Sequence, residues 1–258
     1  MTRVGTVMMG LALGAYGALA SGVPAVAAEA FIPPPSHPDT REPQPESSPE
    51  DQAQLELVVK GVTEFQAGRR QEAMAIYDSV IEHYRTANAD AKVDLYSARN
   101  AAEALFYMAR SVNQKRDAKV VSRAWSDAYM MKGYALADMG QLKEAREAVE
   151  AAVALSPFNS QYLAELGYLH QLDHAWDQSL ETYKRSGEGA EISSPDRRNL
   201  DLARAFRGQG YALIELGRLD EAEALYRKAI ELDGADTKAP NELKYIQQLR
   251  DKQAPPAK

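Results

Sequence analysis

The sequence predicts an all-α protein in which helix hairpins are stacked side by side in an extended array. Small residues recur at offsets of 0, 7 and 12 in the segments that begin at Gly61, Gly133 and Gly210. The segment from Gly167 has small residues at offsets 0 and 12 and His174 at offset 7. The apolar residues of these segments follow the helical spacings i, i+3 and i+4, and no segment sustains the alternation of a strand. Abundant alanine, with 13 tyrosines against 5 phenylalanines, suits closely packed helices better than a sheet.

Length, charge and cysteine content exclude several classes of protein. The 258 residues can form one extended array or one or two ordinary globular domains, and a hydrophobic share of 45% allows a packed core. The net charge of −7 argues against general binding to nucleic-acid phosphates or acidic membranes. The chain has no cysteine, which excludes disulfides, cysteine zinc sites, a thiol nucleophile and a lipid-modified N-terminal cysteine.

Residues 1–28 have the composition of an export signal. Arg3 gives a minimal positive region, and the stretch from Val4 to Ala20 is uncharged. Small residues follow, so we expect signal-peptidase cleavage after Ala27 or Ala28 and a periplasmic or secreted mature protein. The alternative is an inner-membrane protein anchored by an uncleaved N-terminal segment. No later segment approaches the about 20 apolar residues of a membrane-spanning helix.

Residues 29–53 are predicted to form a disordered linker, and residues 253–258 a loose tail. Proline removes backbone donors, and the polar residues around it offer nothing to bury. A Pro-rich ligand for another protein is the alternative to a plain spacer. The prolines of the predicted linker are Pro33, Pro34, Pro35, Pro38, Pro43, Pro45 and Pro49.

The repeated offsets have a physical explanation in a helix hairpin. A small residue at offset 0 lets the first helix approach the second closely, and the small residue at offset 12 lies on the facing side. Glycine at offset 7 permits the turn between the helices. Four residues beyond offset 12 comes a bulky side chain on the same helical face. These bulky residues are Tyr77, Val149, Tyr183 and Tyr226.

These segments resemble tetratricopeptide repeats. The matching stretches are GYALADMGQLKEA from Gly133, GYLHQLDHAWDQS from Gly167 and GYALIELGRLDEA from Gly210. A fourth stretch, GVTEFQAGRRQEA from Gly61, is weaker because Glu64 occupies a usually aromatic or apolar place. The resemblance implies a right-handed α-α superhelix, a solenoid of tandem tetratricopeptide helix hairpins with a C-terminal capping helix.

The phasing of that family divides the chain into further units. It gives repeats over 54–87, 126–159, 160–193 and 203–236. Residues 88–125 are predicted to be a degenerate helical repeat, with a turn near Asn113 to Asp117 and an apolar face that includes Leu95 and Leu105. Nine extra residues before the last repeat are assigned to a loop over Gly187 to Pro195, with 194–202 as the insert. Residues 237–252 are the expected capping helix.

The resemblance implies that the first helices of the hairpins line a concave groove, which binds a peptide or helix of a partner protein. The residue after each offset-0 glycine faces this groove, which gives Tyr134, Tyr168 and Tyr211. Tyrosine offers a large contact area, a hydroxyl group and few rotatable bonds. The alternative is that these rings pack repeat against repeat and carry no ligand.

Polar residues complete the predicted groove. Gln171, Arg204 and Arg207 fall at groove positions of the family pattern. The two arginines form a basic cluster with Arg197 and Arg198. Guanidinium groups at such positions can bind a carboxylate or an acidic peptide.

Acidic residues modify this prediction. Asp196 and Asp201 are interleaved with the arginines, so an ordinary solvated helix is the alternative. Asp127 and Asp138 fall in the earlier part of the groove, which predicts a gradient of charge along it.

No catalytic residue, cofactor site or metal site is predicted. His170 and His174 lie four residues apart beside Asp173, but two ligands are too few for zinc without partners from elsewhere. Neither a Gly-x-Ser-x-Gly motif nor a Gly-rich phosphate loop occurs. The acidic residues are scattered, and no pair stands out as acid and base.

The sequence therefore predicts a non-enzymatic scaffold or adaptor of the bacterial periplasm or cell envelope. Its partner is expected to be a protein or peptide, with no nucleic acid and no membrane span once the signal is cleaved. One alternative is a structural subunit or spacer of an envelope or export assembly, recognised by its convex face. Another is a metal-binding or enzymatic array that uses His170 and His174.

Overall fold

The computed structural model describes residues 48–253, which form ten helices and a two-stranded sheet. The predicted signal (1–28), most of the predicted linker and residues 254–258 lie outside this range. The elements are α1 (Pro49–Gln66), α2 (Arg70–Ala87), β1 (Asp94–Ser97), α3 (Ala101–Asn113), β2 (Ala118–Val121), α4 (Arg123–Asp138), α5 (Leu142–Leu155), α6 (Ser160–Leu172), α7 (Trp176–Ala190), α8 (Pro195–Glu215), α9 (Leu219–Leu232) and α10 (Lys238–Gln253). None of the helices in residues 48–253 is both long enough and apolar enough to cross a bilayer.

Helices pair as hairpins that stack in chain order. The hairpins are α1–α2, α4–α5, α6–α7 and α8–α9, and each contacts the next along the chain. Helix α10 packs against α9 and ends the described stack. The predicted all-α solenoid is confirmed, because each hairpin contacts mainly its neighbours.

The close approach of the two helices in each hairpin depends on glycine. A Cβ atom added at Gly133 would lie 2.6 Å from Val149 Cγ2, and one added at Gly167 would lie 2.8 Å from the ring of Tyr183. At Gly210 the distance to the Tyr226 ring would also be 2.8 Å. Real Cβ contacts are not this short, so the second helix can lie where it does only because the first carries no side chain at these points.

The turns inside the hairpins share one backbone conformation. Gly68, Gly140 and Gly217 have φ values of 80°, 76° and 74°, in the left-handed region that glycine adopts without strain. His174 occupies the corresponding place in the third hairpin with φ 55°. The hairpin α6–α7 therefore holds a side chain where its neighbours use glycine.

Hydrophobic side chains form two clusters along the stack. The first contains residues of α1, α2, α4, α5 and α6, and the second contains residues of α7, α8, α9 and α10. The bulky residues predicted to face the glycines are buried in both halves: Tyr77, Val149, Tyr183 and Tyr226 are each at most 1% exposed.

The prediction of a degenerate helical repeat over 88–125 is wrong. The structure has a strand, a helix and a second strand, and β1 pairs in parallel with β2 from Asp94↔Ala118 to Ser97↔Val121. Helix α3 is the crossover that a parallel pair requires. The insertion packs on the α5–α6 connection, where Ser156 Oγ donates to the Ser97 carbonyl at 2.7 Å.

Helix α3 also buries the opposite face from the one predicted. Glu103, Tyr107 and Ser111 point inward, whereas Leu105 and Val112 are each 72% exposed. The buried Glu103 carboxylate accepts hydrogen bonds from the Arg99 backbone at 2.6 Å and from the Tyr107 hydroxyl at 3.1 Å. These bonds make its burial tolerable.

The predicted linker ends earlier than expected, because α1 begins at Pro49. The Ser48 hydroxyl accepts a hydrogen bond from the Asp51 backbone at 3.1 Å, and Pro49 occupies the first turn, where its missing donor is not needed. The Tyr84 hydroxyl donates to Asp51 Oδ1 at 2.7 Å and ties this turn to α2. Residues 49–53 are therefore helical.

The predicted loop over Gly187 to Pro195 and the insert 194–202 are also mostly helical. Helix α7 continues to Ala190, and α8 begins at Pro195, so only residues 191–194 connect them. Ala190 is fully buried, and Gly189 lies so close to the Phe158 carbonyl that a side chain there would clash. The extra residues lengthen the two helices.

Two glycine-to-alanine substitutions distinguish the effect of close helix packing on stability from the effect of helix propensity. Gly167→Ala should lower the free energy of unfolding by about 1–3 kcal/mol, because the methyl group overlaps the Tyr183 ring. Gly187→Ala, in α7, should raise it by about 0.5–1 kcal/mol, because its Cβ would have no neighbour nearer than 3.7 Å. Chemical denaturation of both variants measures this, and equal effects would contradict the packing described.

Candidate functional site

A row of tyrosines runs along the first helices of the hairpins and onto α10. Tyr134, Tyr168 and Tyr211 lie on α4, α6 and α8, and each is partly exposed. Tyr245 on α10 is also partly exposed and lies 34 residues after Tyr211, the repeat spacing. We call these four residues the tyrosine row. The sequence prediction omitted Tyr245, although the 34-residue spacing pointed to it.

The rings of the tyrosine row are packed on one side. Phe65 meets Tyr134 edge to face with ring centroids 5.3 Å apart, and Trp176 meets Tyr211 at 6.0 Å. The rings of Tyr134 and Tyr211 therefore pack against a neighbouring hairpin and still keep exposed surface. Anchored rings lose little entropy when a ligand binds to them.

Burial and nearby carboxylates hold these phenols in the neutral form. Burial raises the pKa of Tyr134 and Tyr168, and Glu165 contributes to both. Burial, followed by Glu215 and Glu242, raises the pKa of Tyr211 to about 12. At neutral pH each of these phenols therefore keeps its proton.

Arg204, predicted to bind a ligand carboxylate, already binds one from the chain itself. Its Nη2 atom lies 2.6 Å from Glu165 Oε1, and the two side chains are 10% and 0% exposed. Arg207 lies 3.2 Å from Asp236 Oδ2 and 3.9 Å from Asp233 Oδ2. These pairs join α8 to α6 and to the loop before α10, so their first role is to fix the hairpins.

The other two arginines of the predicted basic cluster also have acidic partners. Arg197 lies 3.5 Å from Asp201 Oδ1, and Arg198 pairs with Glu191. The cluster is therefore largely neutralised by the chain's own carboxylates and does not form the open anion-binding surface that the sequence suggested.

Gln171 is the most buried residue of the predicted polar set. It is 4% exposed, and its Nε2 atom donates to the Gly208 carbonyl at 3.2 Å. This bond joins α6 to α8 across the hairpin boundary. Gln171 is therefore buried between α6 and α8.

The two aspartates predicted near the start of the groove are paired as well. Asp127 accepts a hydrogen bond from the Tyr162 hydroxyl and lies 3.7 Å from Arg123 Nε. Asp138 binds Arg70 at 2.7 Å. Both aspartates therefore have partners within the chain.

Two acidic residues near the C-terminal end of the stack differ from these aspartates. Glu215 on α8 is exposed, and Glu242 on α10 is 8% exposed. Neither makes an ion pair or a side-chain hydrogen bond with another of the described residues, and Glu242 Oε2 is buried without a partner among them. Burial raises the pKa of Glu242 to about 7.

His170 and His174 have no third metal ligand beside them among the described residues. Burial, followed by the charge of Arg146, lowers the pKa of His170, whereas the exposed His174 ring lies edge to face on Trp176 at 5.1 Å. Asp173, beside them in sequence, pairs with Arg146. Within residues 48–253 no three histidine or carboxylate side chains are grouped so that they could hold a metal ion.

The comparison with known sequences agrees with the repeat geometry. Family models of the tetratricopeptide repeat match residues 126–159 and 203–236. The chain contains tetratricopeptide repeats. Human RNA polymerase II-associated protein 3 is 25% identical over 201 residues, which is 74% of this chain and 29% of that protein. The chain thus spans less than a third of the relative it matches.

Solved structures show the same fold. The MamA protein of Desulfovibrio magneticus RS-1, residues 41 to the end, aligns with a TM-score of 0.52 at 16% identity, covering 77% of this chain and 86% of that one. An RS-1 MamA double mutant aligns with a TM-score of 0.51 at 14% identity, covering 77% and 85%. At this identity the likeness establishes the architecture, and the repeats are those of a protein-interaction fold.

Replacement of Glu242 by glutamine should change how stability depends on pH. Because burial raises its pKa in the folded state above the ordinary 4.5, the neutral acid stabilises the fold at low pH, and this contribution is lost as pH rises through about 7. Glu242→Gln should therefore be more stable than the parent at pH 8, by about 1–3 kcal/mol, and about equal at pH 4.

Denaturation at the two pH values measures this difference. Glu231→Gln, an exposed carboxylate on α9, is the matched control and should leave the pH dependence of the parent unchanged. An identical loss of stability between pH 4 and pH 8 in Glu242→Gln and in the parent would show that this carboxyl group is not desolvated.

Proposed function

We propose that this chain is a protein-interaction scaffold that binds a peptide or helix of a partner protein in the groove along the tyrosine row. Tetratricopeptide repeats generally mediate protein–protein interactions, and this chain contains them. The observation that carries the proposal is the row itself, with one partly exposed tyrosine on the first helix of each of three successive hairpins and one on α10. A ligand laid across them buries apolar surface and meets one hydroxyl per repeat.

The charges of the groove limit what the partner can look like. The arginines that could have held an acidic segment are paired with Glu165, Asp233 and Asp236. A strongly acidic ligand would have to compete with these carboxylates for the arginines. Each broken pair would leave a carboxylate without its cation and next to the negative charge of the ligand. The groove therefore favours a ligand segment that is apolar or basic.

We further propose that the scaffold works in the bacterial periplasm or cell envelope. Support comes from the N-terminal sequence, which has a short positive region, an uncharged stretch and small residues before Ala27 and Ala28. Cleavage there would leave residues 29–48 ahead of α1 in the mature chain. The uncleaved, membrane-anchored form is the alternative to a periplasmic or secreted one.

A second candidate is a structural subunit of an envelope or export assembly, recognised through a surface outside the groove. The observation that favours it is α3, which leaves Leu105 and Val112 exposed, each by 72%. Large apolar side chains on an exposed helix face are typical of surfaces that another protein covers. In this case the repeats serve mainly as a support that holds the insertion where a partner protein can contact it.

Site-specific photocrosslinking separates the two candidates. A photoreactive phenylalanine derivative placed at Tyr168 in the groove should give a discrete adduct with a partner protein in the native host. The same group at Leu105 on α3 reports the second candidate, and at the exposed Glu147 on α5 it serves as the control. Both test positions carry large side chains that are partly or mostly exposed, so the replacement is compatible with the fold.

The scaffold proposal predicts an adduct at Tyr168 and none at Glu147. An adduct at Leu105 alone transfers the function to the insertion. The absence of adducts at both Tyr168 and Leu105, with normal expression and helical content, would contradict both candidates.

A further inference from the structure

The C-terminal end of the groove combines aromatic rings with carboxylates. The Tyr211 ring lies 6.0 Å from Trp176, at an interplanar angle of 63°. Glu215 lies one helical turn after Tyr211 on α8, and Glu242 lies one turn before Tyr245 on α10. The charges of Glu215 and Glu242 both contribute, after burial, to the raised pKa of Tyr211. We call Trp176, Tyr211, Tyr245, Glu215 and Glu242 the acidic–aromatic cluster.

The acids of this cluster differ from Asp138 and Glu165 in having no basic partner within the described part of the chain. Asp138 lies 2.7 Å from Arg70, and Glu165 lies 2.6 Å from Arg204. Glu215 and Glu242 form no ion pair with any of the residues 48–253. Glu242 is nevertheless 92% buried, and its Oε2 atom lacks a hydrogen-bond partner among the same residues. A buried carboxylate of this kind costs stability unless a ligand completes it.

The rings add a second reason for a cation. The face of an aromatic ring attracts a cation within about 6 Å of its centre, most strongly for tryptophan and then tyrosine. Trp176, Tyr211 and Tyr245 are each partly exposed, so their outer surface is open to a ligand. Rings and carboxylates thus favour the same sign of charge, and the net charge of −7 draws basic ligands toward the chain.

We propose that the acidic–aromatic cluster binds a lysine or arginine side chain of the partner. This inference rests on the proposed function, and it specifies what the C-terminal end of the groove recognises. The basic head group pairs with Glu215 and Glu242, and its methylene stem lies along Tyr211 and Tyr245. The tyrosines at the other end of the groove would hold the apolar remainder of the segment.

The test uses small blocked amino acids as probes on the chain from residue 29 to 258. The probes are Nα-acetyl-lysine methylamide and Nα-acetyl-arginine methylamide, and the uncharged control is Nα-acetyl-norleucine methylamide. Binding is followed by NMR through the indole N–H signals of the two tryptophans. Trp176 belongs to the cluster, whereas Trp125 is 7% exposed in the other hydrophobic cluster and provides the reference signal. At pH 8 the Glu242 carboxyl is ionised in most molecules, since its pKa is about 7.

Both basic probes should shift the Trp176 signal saturably and leave the Trp125 signal in place. The double variant Glu215→Gln/Glu242→Gln should weaken binding by about five- to thirtyfold, as should Tyr211→Leu. Glu72→Gln on α2 removes an exposed carboxylate far along the chain and is the matched control, which should bind like the parent. Unchanged Trp125 shifts and circular dichroism report that the variants are folded.

Two results would overturn the inference. One is the absence of a saturable Trp176 shift with either basic probe up to about 50 mM, a range that covers millimolar dissociation constants. The other is equal binding of norleucine, or equal binding of lysine by the Glu215→Gln/Glu242→Gln variant. If crosslinks at Tyr168 persist in either case, the groove remains the binding surface and only the basic recognition is wrong. If the crosslinks at Tyr168 are also absent, both the basic recognition and the scaffold proposal are wrong.

Discussion

The architecture depends on contact between a glycine of one helix and a bulky side chain of the next. At Gly133, Gly167 and Gly210, an added Cβ would lie 2.6 to 2.8 Å from the facing side chain. The facing residues are fully buried, so they cannot move toward solvent to make room. Because this contact recurs in successive hairpins, it sets the distance between the two helices of each pair, and the stack follows from repetition.

The regular placement of the first helices is a consequence of that constraint. When the first helix of each hairpin is fixed against the second, the position after each glycine recurs at an equivalent place, and Tyr134, Tyr168 and Tyr211 occupy it. Buried ion pairs then fix one hairpin relative to another, as Arg204 does with Glu165. Removing one member of such a pair leaves a buried charge, so these arginines are better suited to positioning than to reversible ligand binding.

Much of the fold could be predicted from the sequence, because the contacts that define it are local. Glycine and its facing residue are 16 positions apart, within one motif, and the turn glycines lie between them. The insertion could not be predicted in this way. Helix α3 buries Glu103 and exposes Leu105, against the usual rule, and only the hydrogen bonds from Arg99 and Tyr107 explain this.

The candidate site was predictable in part for the same reason. The tyrosines follow the repeat, and Tyr245 could have been found by continuing the 34-residue step. The partners of Arg204 and Arg207 lie 39 and 29 residues away in other elements, so no local pattern marks them. The burial of Glu242 depends on how α10 packs on the stack, and the sequence shows only a glutamate in a polar helix.

A double-mutant cycle on Gly133 and Val149 tests the central contact most directly. Gly133→Ala alone should destabilise the fold by about 1–3 kcal/mol, because its methyl group overlaps Val149 Cγ2. In a chain that already carries Val149→Ala, that overlap is gone, and the same glycine substitution should cost at least about 1 kcal/mol less. If the two substitutions are instead additive within about 0.5 kcal/mol, close approach at glycine does not hold the hairpins together.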